Sequence, residues 1–115
     1  MRICVCGGRD YQDAEKVNHI LSRIHHIKPI SSLMNGGAKG ADKLSSDWAI
    51  SNAIPLVVIN ADWDLYGKSA GAIRNKNMVI IGFDCLVAFP GGNGTKNMIT
   101  QSLKAKLKIF RVNVI

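Results

Sequence analysis

The chain has 115 residues, of which 47% are apolar, and this length suits one domain spanning residues 1–115 with a buried core. No apolar run approaches the ~20 residues needed to cross a bilayer, and the chain opens on a strand-like segment rather than a signal peptide. We therefore expect a cytoplasmic protein with no membrane partner. Fifteen lysines and arginines against eight aspartates and glutamates give a net charge of +7, which favours phosphate-bearing ligands or polyanions.

The first predicted elements are a strand at Arg2–Cys6 and a helix that follows Gly7 and Gly8. The helix is indicated by apolar residues that recur at spacings of three and four. These residues are Ala14, Val17, Ile20, Leu21, Ile24 and Ile27. Either Asp10 or Asp13 can cap its amino terminus.

The middle of the chain continues the alternation of strands and helices. A short strand is predicted at Ser31–Met34 and a helix at Ala41–Asn52. A third strand follows at Pro55–Ile59, where an initial proline is tolerated because it need not donate a hydrogen bond. Residues Ala61–Lys68 are predicted to form a loop.

The last third begins with a predicted helix at Ala70–Ile81, which Gly82 ends. The residues Asp84–Phe89 are nearly all apolar, as in a strand that is covered on both faces. A helix at Gly94–Lys106 and a strand at Lys108–Val114 complete the chain. Strands and helices that alternate in this way predict βαβ units and a parallel sheet.

The predicted fold class is therefore α/β, a Rossmann-like three-layer domain with five parallel strands and four helices on both faces of the sheet. Right-handed crossovers favour the strand order 3-2-1-4-5, which makes the first and fourth strands neighbours. Their carboxyl ends would then form the crevice in which open α/β sheets bind ligands.

Three glycine-rich loops follow strands that end at this crevice, and their residues are predicted to bind a ligand. They contribute Gly7, Gly8 and Arg9; Gly36, Gly37, Ala38 and Gly40; and Gly91, Gly92, Asn93, Gly94 and Thr95. Glycine lets an anion approach backbone N–H groups, and the first N–H groups of the next helix favour a phosphate. Tight-turn geometry alone would explain any single glycine pair.

The last of these loops, Pro90–Thr95, carries the strongest signal, because three glycines and a threonine separate a buried strand from an amphipathic helix. It lacks the Gly-Lys-Ser/Thr ending of a Walker A loop and does not have the dinucleotide Gly-x-Gly-x-x-Gly spacing. The sequence therefore predicts a phosphate-binding turn that belongs to neither of those motifs.

Polar side chains on two helices are further candidates. Arg74 lies four residues from both Ala70 and Met78, on the same side of its helix, where an arginine needs an anion. That anion is either a ligand phosphate or a structural aspartate, unless the side chain reaches solvent. Asn75 can add an amide contact, and Asp42 either caps its helix or binds a ribose hydroxyl.

Aromatic and sulfur-containing side chains add less. Trp48 is predicted to pack in the core, whereas Trp63 and Tyr66 can be either core residues or platforms for a base. The three cysteines, Cys4, Cys6 and Cys85, lie in strand-like runs and are expected to be buried free thiols. We predict no metal site and no cofactor.

Taken together, these motifs resemble the small YspA/YpsA-related branch of the SLOG superfamily over nearly the whole chain. The matching segments are Gly7–Tyr11, Gly36–Asp42, Ala61–Trp63, Gly67–Gly71, Arg74–Asn75 with Met78, and Pro90–Thr95. The resemblance implies a Rossmann-like nucleotide site, and by analogy with dimeric relatives it implies a homo-oligomer. The superfamily also includes the LOG-type phosphoribohydrolases and the nucleic-acid-binding DprA proteins.

The LOG-type enzymes are similar to this chain at Arg74 and Met78 and at the Pro90–Thr95 loop, but they place a glutamate three residues after the threonine. Here that position is Met98, and the only glutamate is Glu15 on the first helix. Methionine can neither stabilise an oxocarbenium-like centre nor activate water. We therefore assign no catalytic residue.

Three functions remain open from the sequence. The first is binding of a nucleotide or nucleotide-derived ligand, in order to sense, carry or sequester it. The alternative is a nucleotide hydrolase of the phosphoribohydrolase type that uses Asp42, Asp10 or another aspartate of the crevice. A second alternative is single-stranded nucleic-acid binding, suggested by the net charge, the basic cluster at Lys104–Arg111 and the kinship with DprA.

Overall fold

The computed structural model describes residues 1–113 and has a five-stranded parallel sheet with the order β3-β2-β1-β4-β5. The strands are β1 (Arg2–Cys6), β2 (Ser32–Asn35), β3 (Leu56–Val58), β4 (Cys85–Ala88) and β5 (Lys108–Arg111). The helices are α1 (Ala14–Ile27), α2 (Ala41–Ser51), α3 (Trp63–Tyr66), α4 (Ala70–Ile81) and α5 (Asn93–Lys104). The predicted fold class and strand order are confirmed.

Two apolar layers cover the faces of the sheet, because alternate residues of β1 and β4 point to opposite sides. On one face, Val5 and Val87 pack in a cluster that includes Trp48. On the other face, Cys6 and Leu86 belong to a second cluster, together with Met78 from α4 and Met98 from α5. The two central strands are therefore buried from both sides, as their apolar sequences predict.

The pairing of β1 with β4 sets the position of the loops. Ile3 is opposite Cys85 and Cys6 is opposite Ala88, so the two strands end at the same level. The glycine-rich segments that follow these strands consequently lie side by side at the carboxyl edge of the sheet.

The ends of two helices follow from local chemistry. The Asp13 carboxylate accepts a hydrogen bond of 3.0 Å from the Lys16 N–H and caps α1, which decides between the two capping candidates. Gly82 ends α4 with a φ of +92°, a left-handed conformation that favours glycine. The predicted bounds of α4 agree with the structure.

Residues 61–68, predicted as a loop, contain α3 and the start of a 3₁₀ turn at Gly67–Ser69. The prediction was wrong because Asp62 caps this short helix by accepting a hydrogen bond of 3.1 Å from the Leu65 N–H. The structure therefore has five α-helices among its described residues, where the sequence predicts four.

Other boundaries shift by one to three residues, which is common where helix and strand ends depend on tertiary contacts. The strand predicted at Lys108–Val114 ends at Arg111, and position 114 lies outside the described residues. Within residues 1–113, no helix has both the length and the apolar character needed to span a membrane.

Candidate functional site

Three glycine-rich loops meet at the carboxyl edge of the sheet: the first loop (Gly7–Arg9), the second loop (Gly36–Gly40) and the last loop (Pro90–Thr95). The Gly8 N–H donates a hydrogen bond of 2.8 Å to the Pro90 carbonyl oxygen. The Gly8 carbonyl oxygen accepts one of 3.1 Å from the Ala41 N–H, at the start of α2. The first loop therefore ties the other two together, and the structure brings the three predicted loops into one place.

Glycine is required where these loops touch. Gly40 has a φ of +74°, and a Cβ atom there would overlap the backbone oxygens of Gly8 and Arg9. A Cβ atom on Gly7 would overlap the Cβ atoms of Ala41 and Phe89. The absence of side chains at these positions allows the loops to approach each other closely.

Three backbone donors of the second loop, the N–H groups of Gly36, Gly37 and Ala38, are satisfied inside the chain. One oxygen of the Asp42 carboxylate, Oδ2, accepts hydrogen bonds of 3.2 Å from both the Gly36 N–H and the Ala38 N–H. The Gly37 N–H donates to Asn35 Oδ1 at 2.9 Å. A carboxylate of the protein therefore takes the place in this loop that the sequence suggests for a ligand.

Asp42 does not cap α2, so that interpretation of the residue was wrong. Gly40 stands at the capping position without any side-chain hydrogen bond, and Asp42 turns back from the first turn of α2 toward the second loop. Its side chain is only 6% exposed, and burial raises the pKa of the carboxyl to about 6 although the Ala38 amide and Arg74 lower it.

The last loop differs because its backbone donors are open. Among residues 1–113, no acceptor receives a hydrogen bond from the N–H groups of the segment Gly91–Thr95. The first amide of this region to find a partner is that of Lys96, which donates to the Gly92 carbonyl oxygen at 3.0 Å. These open donors coincide with the positive end of the α5 dipole, so the segment favours an anion.

Arg74 and Asn75 link α4 to both of these loops. Arg74 Nη1 donates a hydrogen bond of 2.6 Å to the Gly36 carbonyl oxygen, and its Nε donates one of 2.9 Å to Asn75 Oδ1. Asn75 Nδ2 in turn donates to the Gly94 carbonyl oxygen at 3.3 Å and to Asn97 Oδ1 at 3.1 Å. Of the partners considered for Arg74, the structural aspartate is replaced by a backbone carbonyl, and the contact with a ligand phosphate stays a prediction.

A cleft of about 950 Å³ lies between these elements, a volume within the range of small-molecule sites. Most of the predicted site residues line it: Gly7, Gly8, Arg9, Gly36, Ala38, Asp42, Arg74, Asn75, Gly91, Gly92, Asn93, Gly94 and Thr95. Gly37 and Gly40 do not line this cleft. Gly37 instead donates a hydrogen bond to Asn35, and Gly40 lets the first and second loops pack closely.

The aromatic residues separate into two roles. Trp48 is 3% exposed and its Nε1 donates to Ser22 Oγ at 2.9 Å, so the predicted packing role is confirmed. Trp63 is 48% exposed and lines the cleft, and the Arg9 guanidinium lies 5.3 Å from the centre of its ring. Tyr66 is equally exposed but lies outside the cleft lining.

Sequence reasoning missed the cation–π pair of Arg9 and Trp63 and the contribution of Lys68, which also lines the cleft. Nothing in the spacing of Arg9 and Trp63, 54 positions apart, indicates that they meet. Lys68 lies in the segment Gly67–Gly71, which is one of the segments that resemble the SLOG family. That resemblance was the signal that could have marked Lys68 as a residue of the site.

Two sulfur-containing side chains also line the cleft. Met98 occupies the position of the glutamate that LOG-type enzymes carry, and its side chain is 1% exposed. Cys6 also faces the cleft, but burial raises the pKa of its thiol to about 12, so the thiol stays protonated near neutral pH. Glu15 lies on α1 and does not line the cleft.

The cysteines and the basic cluster are further features that the sequence analysis singled out. Cys4 and Cys6 are buried free thiols as expected, whereas Cys85 is a partly buried free thiol. Among the described residues, no group of three or more His, Cys, Asp or Glu side chains is placed to hold a metal ion. The basic cluster Lys104–Arg111 lies outside the cleft lining, and nucleic-acid binding stays a prediction.

The sheet order, the helices on both faces and the three loops define a Rossmann-like α/β protein with a glycine-lined cleft at the carboxyl edge of its sheet. Residues 1–66 match the YspA, cpYpsA-related SLOG family. The chain is also 33% identical over 118 residues to the Gene 61 protein of Mycobacterium phage D29, with 95% of this chain and 94% of that protein covered.

The chain therefore belongs to the YspA, cpYpsA-related SLOG family, and the resemblance stated from its motifs is confirmed. No solved structure matches it. Membership of a SLOG family points to nucleotide-related binding or processing. The family match covers the first and second loops, whereas Arg74 and the last loop lie beyond residue 66.

Proposed function

We propose that this protein binds a nucleotide or nucleotide-derived ligand in the cleft and senses, carries or sequesters it without cleaving it. The observation that carries the proposal is the row of open backbone N–H groups in the segment Gly91–Thr95, at the start of α5. Backbone donors in this position bind phosphate groups in many α/β proteins because they combine free hydrogen-bond donors with the helix dipole.

The phosphate would lie between the last loop and the positive side chains of the cleft wall. Thr95 adds a hydroxyl group next to Gly91, close enough that a Cβ atom on Gly91 would overlap it. Arg74 holds its guanidinium in place with two hydrogen bonds and keeps further N–H donors for an anion. Charge-assisted hydrogen bonds of this kind are among the stronger polar contacts in proteins.

The base would lie against Trp63, which presents nearly half of its surface to solvent at the cleft wall. Aromatic faces stack on bases with little selectivity. Arg9 already covers part of the ring, so a base must share the indole with the guanidinium or displace it. Trp63 therefore supplies affinity for a base without fixing which base is bound.

The proposal that the ligand is not cleaved is supported by a residue that lines the cleft. Breaking an N-glycosidic bond benefits from a carboxylate beside the sugar, and the side chain at the corresponding position is the buried thioether of Met98. A thioether neither carries a proton nor stabilises positive charge as a carboxylate does. Binding through the last loop does not depend on this residue.

Isothermal titration with nucleoside 5′-monophosphates tests the proposal in the variants Thr95→Val and Thr100→Val. Both substitutions replace a hydroxyl with a methyl group on α5, but Thr95 lines the cleft and Thr100 is exposed outside it. We expect Thr95→Val to weaken binding roughly 10- to 100-fold, the worth of one hydrogen bond to a charged group, and Thr100→Val to leave it unchanged. Absence of binding, or equal affinity in both variants, would contradict the proposal.

A second candidate function is hydrolysis of the phosphoribohydrolase type, with Asp42 as the acid or base. The observation that favours it is a carboxyl group in the cleft wall whose pKa burial raises to about 6, near the range useful for proton transfer. Incubation with nucleoside monophosphates would then release free base, and Asp42→Asn would abolish the release. If no base is released, only the binding function remains.

A further inference from the structure

A second cavity adjoins the cleft on the side of the second loop. It has a volume of about 540 Å³, and the side chains of Arg9, Trp63 and Arg74 border both spaces. The two linings also share Asp10, Gly36 and Ala38. Lys39 and Asn60 line the second cavity only, whereas Lys68 lines the cleft only. The two spaces are therefore neighbouring parts of one binding surface that differ in their lysine.

The second cavity has a positive lining. Arg9, Lys39 and Arg74 face it, and Asp10 is the only carboxylate among its lining residues. The structure gives none of these three cations an ion-pair partner within residues 1–113, where the one ion pair joins Lys43 to Asp47. Positive side chains that converge on a concave surface without a partner attract an anion.

The N–H groups of Gly36, Gly37 and Ala38 do not contribute to this attraction, because they already bond Asp42 and Asn35. The positive side chains of Arg9, Lys39 and Arg74 are therefore the main source of attraction for an anion in the second cavity. The cleft is different, since open backbone donors of the last loop lie there. An anion would therefore meet open backbone N–H groups in the cleft and positive side chains in the second cavity. Arg9 and Trp63 border both spaces.

We propose that the ligand carries a second phosphate, separated from the first by its ribose, and that the second cavity binds this group through Lys39 and Arg9. The inference rests on the proposed function, because the first phosphate must occupy the last loop. The ribose and base then lie along Arg9 and Trp63, the pair that both spaces share. The ligand class is a nucleoside 3′,5′-bisphosphate or a 5′-phosphorylated dinucleotide, which present the same two separated phosphates.

Titration calorimetry with a nucleoside 5′-monophosphate, the 3′,5′-bisphosphate and the 5′-diphosphate of the same nucleoside tests this inference. The natural chain should bind the 3′,5′-bisphosphate roughly 10-fold more tightly than the monophosphate, as expected for a charge-assisted contact. The 5′-diphosphate has as many phosphates as the bisphosphate but keeps them adjacent, so it should gain less.

Two lysine variants locate the effect. Lys39→Ala should remove the roughly 10-fold gain of the 3′,5′-bisphosphate and leave the monophosphate affinity within about 2-fold of its original value. Lys68→Ala removes the same charge from the cleft and should weaken both ligands by the same factor. A 5′-phosphorylated dinucleotide that shows the same dependence on Lys39 would support the inference and show that the second cavity also accepts a phosphodiester.

Equal affinity for the monophosphate and the 3′,5′-bisphosphate, or equal weakening of both by Lys39→Ala, would overturn the inference. If monophosphate binding still depends on Thr95 in that case, the proposed function survives and only the second phosphate is wrong. If neither ligand binds, both proposals fail.

Discussion

The second loop and the last loop are built from the same kind of sequence, a glycine-rich turn between a strand and a helix, yet the structure uses them differently. In the second loop, Asp42 and Asn35 accept the hydrogen bonds of the Gly36, Gly37 and Ala38 amides. In the last loop, the amides of Gly91–Thr95 have no acceptor among residues 1–113. Glycine content therefore indicates that a loop can expose its amides, whereas the neighbouring side chains decide whether a ligand can use them.

The largest expected effect comes from Gly40→Ala in the second loop. The new Cβ atom would meet the backbone oxygens of Gly8 and Arg9, and alanine would have to adopt a φ of +74°. We expect a loss of roughly 4 kcal/mol of unfolding free energy, because backbone strain and an unavoidable overlap add. Urea unfolding measures it, and a loss below ~1 kcal/mol would show that the loops are not packed this closely.

The second-largest effect is predicted for Asn35→Ala, next to the second loop. Its matched control is Asn93→Ala, in the last loop. Asn35 is fully buried, accepts from the Gly37 amide and donates to the Asp42 carbonyl oxygen, so its loss leaves buried polar groups unpaired. We expect Asn35→Ala to cost about 3 kcal/mol of unfolding free energy. Asn93 is exposed, and its substitution should change stability by less than ~0.5 kcal/mol. If the two substitutions lower the free energy of unfolding by similar amounts, the second loop is not held by its own side chains more than the last loop is.

A smaller effect concerns the pH dependence of Asp42. Because burial raises its pKa from 3.8 to about 6, the folded protein holds this proton more tightly than the unfolded chain. The stability of the natural chain relative to Asp42→Asn should therefore rise by roughly 2 kcal/mol as the pH falls from 7 to 4, and should be constant above about pH 7. Unfolding curves of both proteins across this range measure the difference. A difference that does not change with pH, or that falls on acidification, would contradict the burial of an ionisable carboxyl.

The smallest effect is predicted for Gly94→Ala in the last loop. A Cβ atom on Gly94 meets nothing within 4 Å, and the residue lies in the first turn of α5 with no positive φ. Alanine should therefore stabilise the ligand-free protein by about 0.5 kcal/mol, since it favours the helix over the unfolded chain. Thermal unfolding without ligand tests this, and a clear destabilisation would mean that the last loop is packed as tightly as the second.

The sequence was sufficient for the sheet order and for the meeting of the loops, because both follow from alternating strands and helices with right-handed crossovers. It could not show that the Asp42 carboxylate fills the second loop. An aspartate at the start of a helix is ordinarily expected to cap it, and only the curvature of Gly36–Gly40 turns the carboxylate toward the loop instead.

The side-chain contacts between distant segments were also beyond prediction. Within the protein, Arg74 bonds the Gly36 carbonyl oxygen rather than an aspartate, and a backbone carbonyl is a group that every residue carries and no pattern reveals. Its contact with a ligand phosphate stays a prediction. The pairing of Arg9 with Trp63 depends on α3, which was missed because a four-residue helix has no apolar period to detect. The second cavity follows from these contacts and has no motif of its own.

Backbone amide chemical shifts, recorded by NMR during titration with a nucleoside 5′-monophosphate, test the central claim most directly. We predict downfield proton shifts that saturate together for the amides of Gly91–Thr95, because these donors gain a charged acceptor. The amides of Gly36, Gly37 and Ala38 should keep their protein partners and shift little. Saturating shifts in the second loop with none in the last loop would contradict the account.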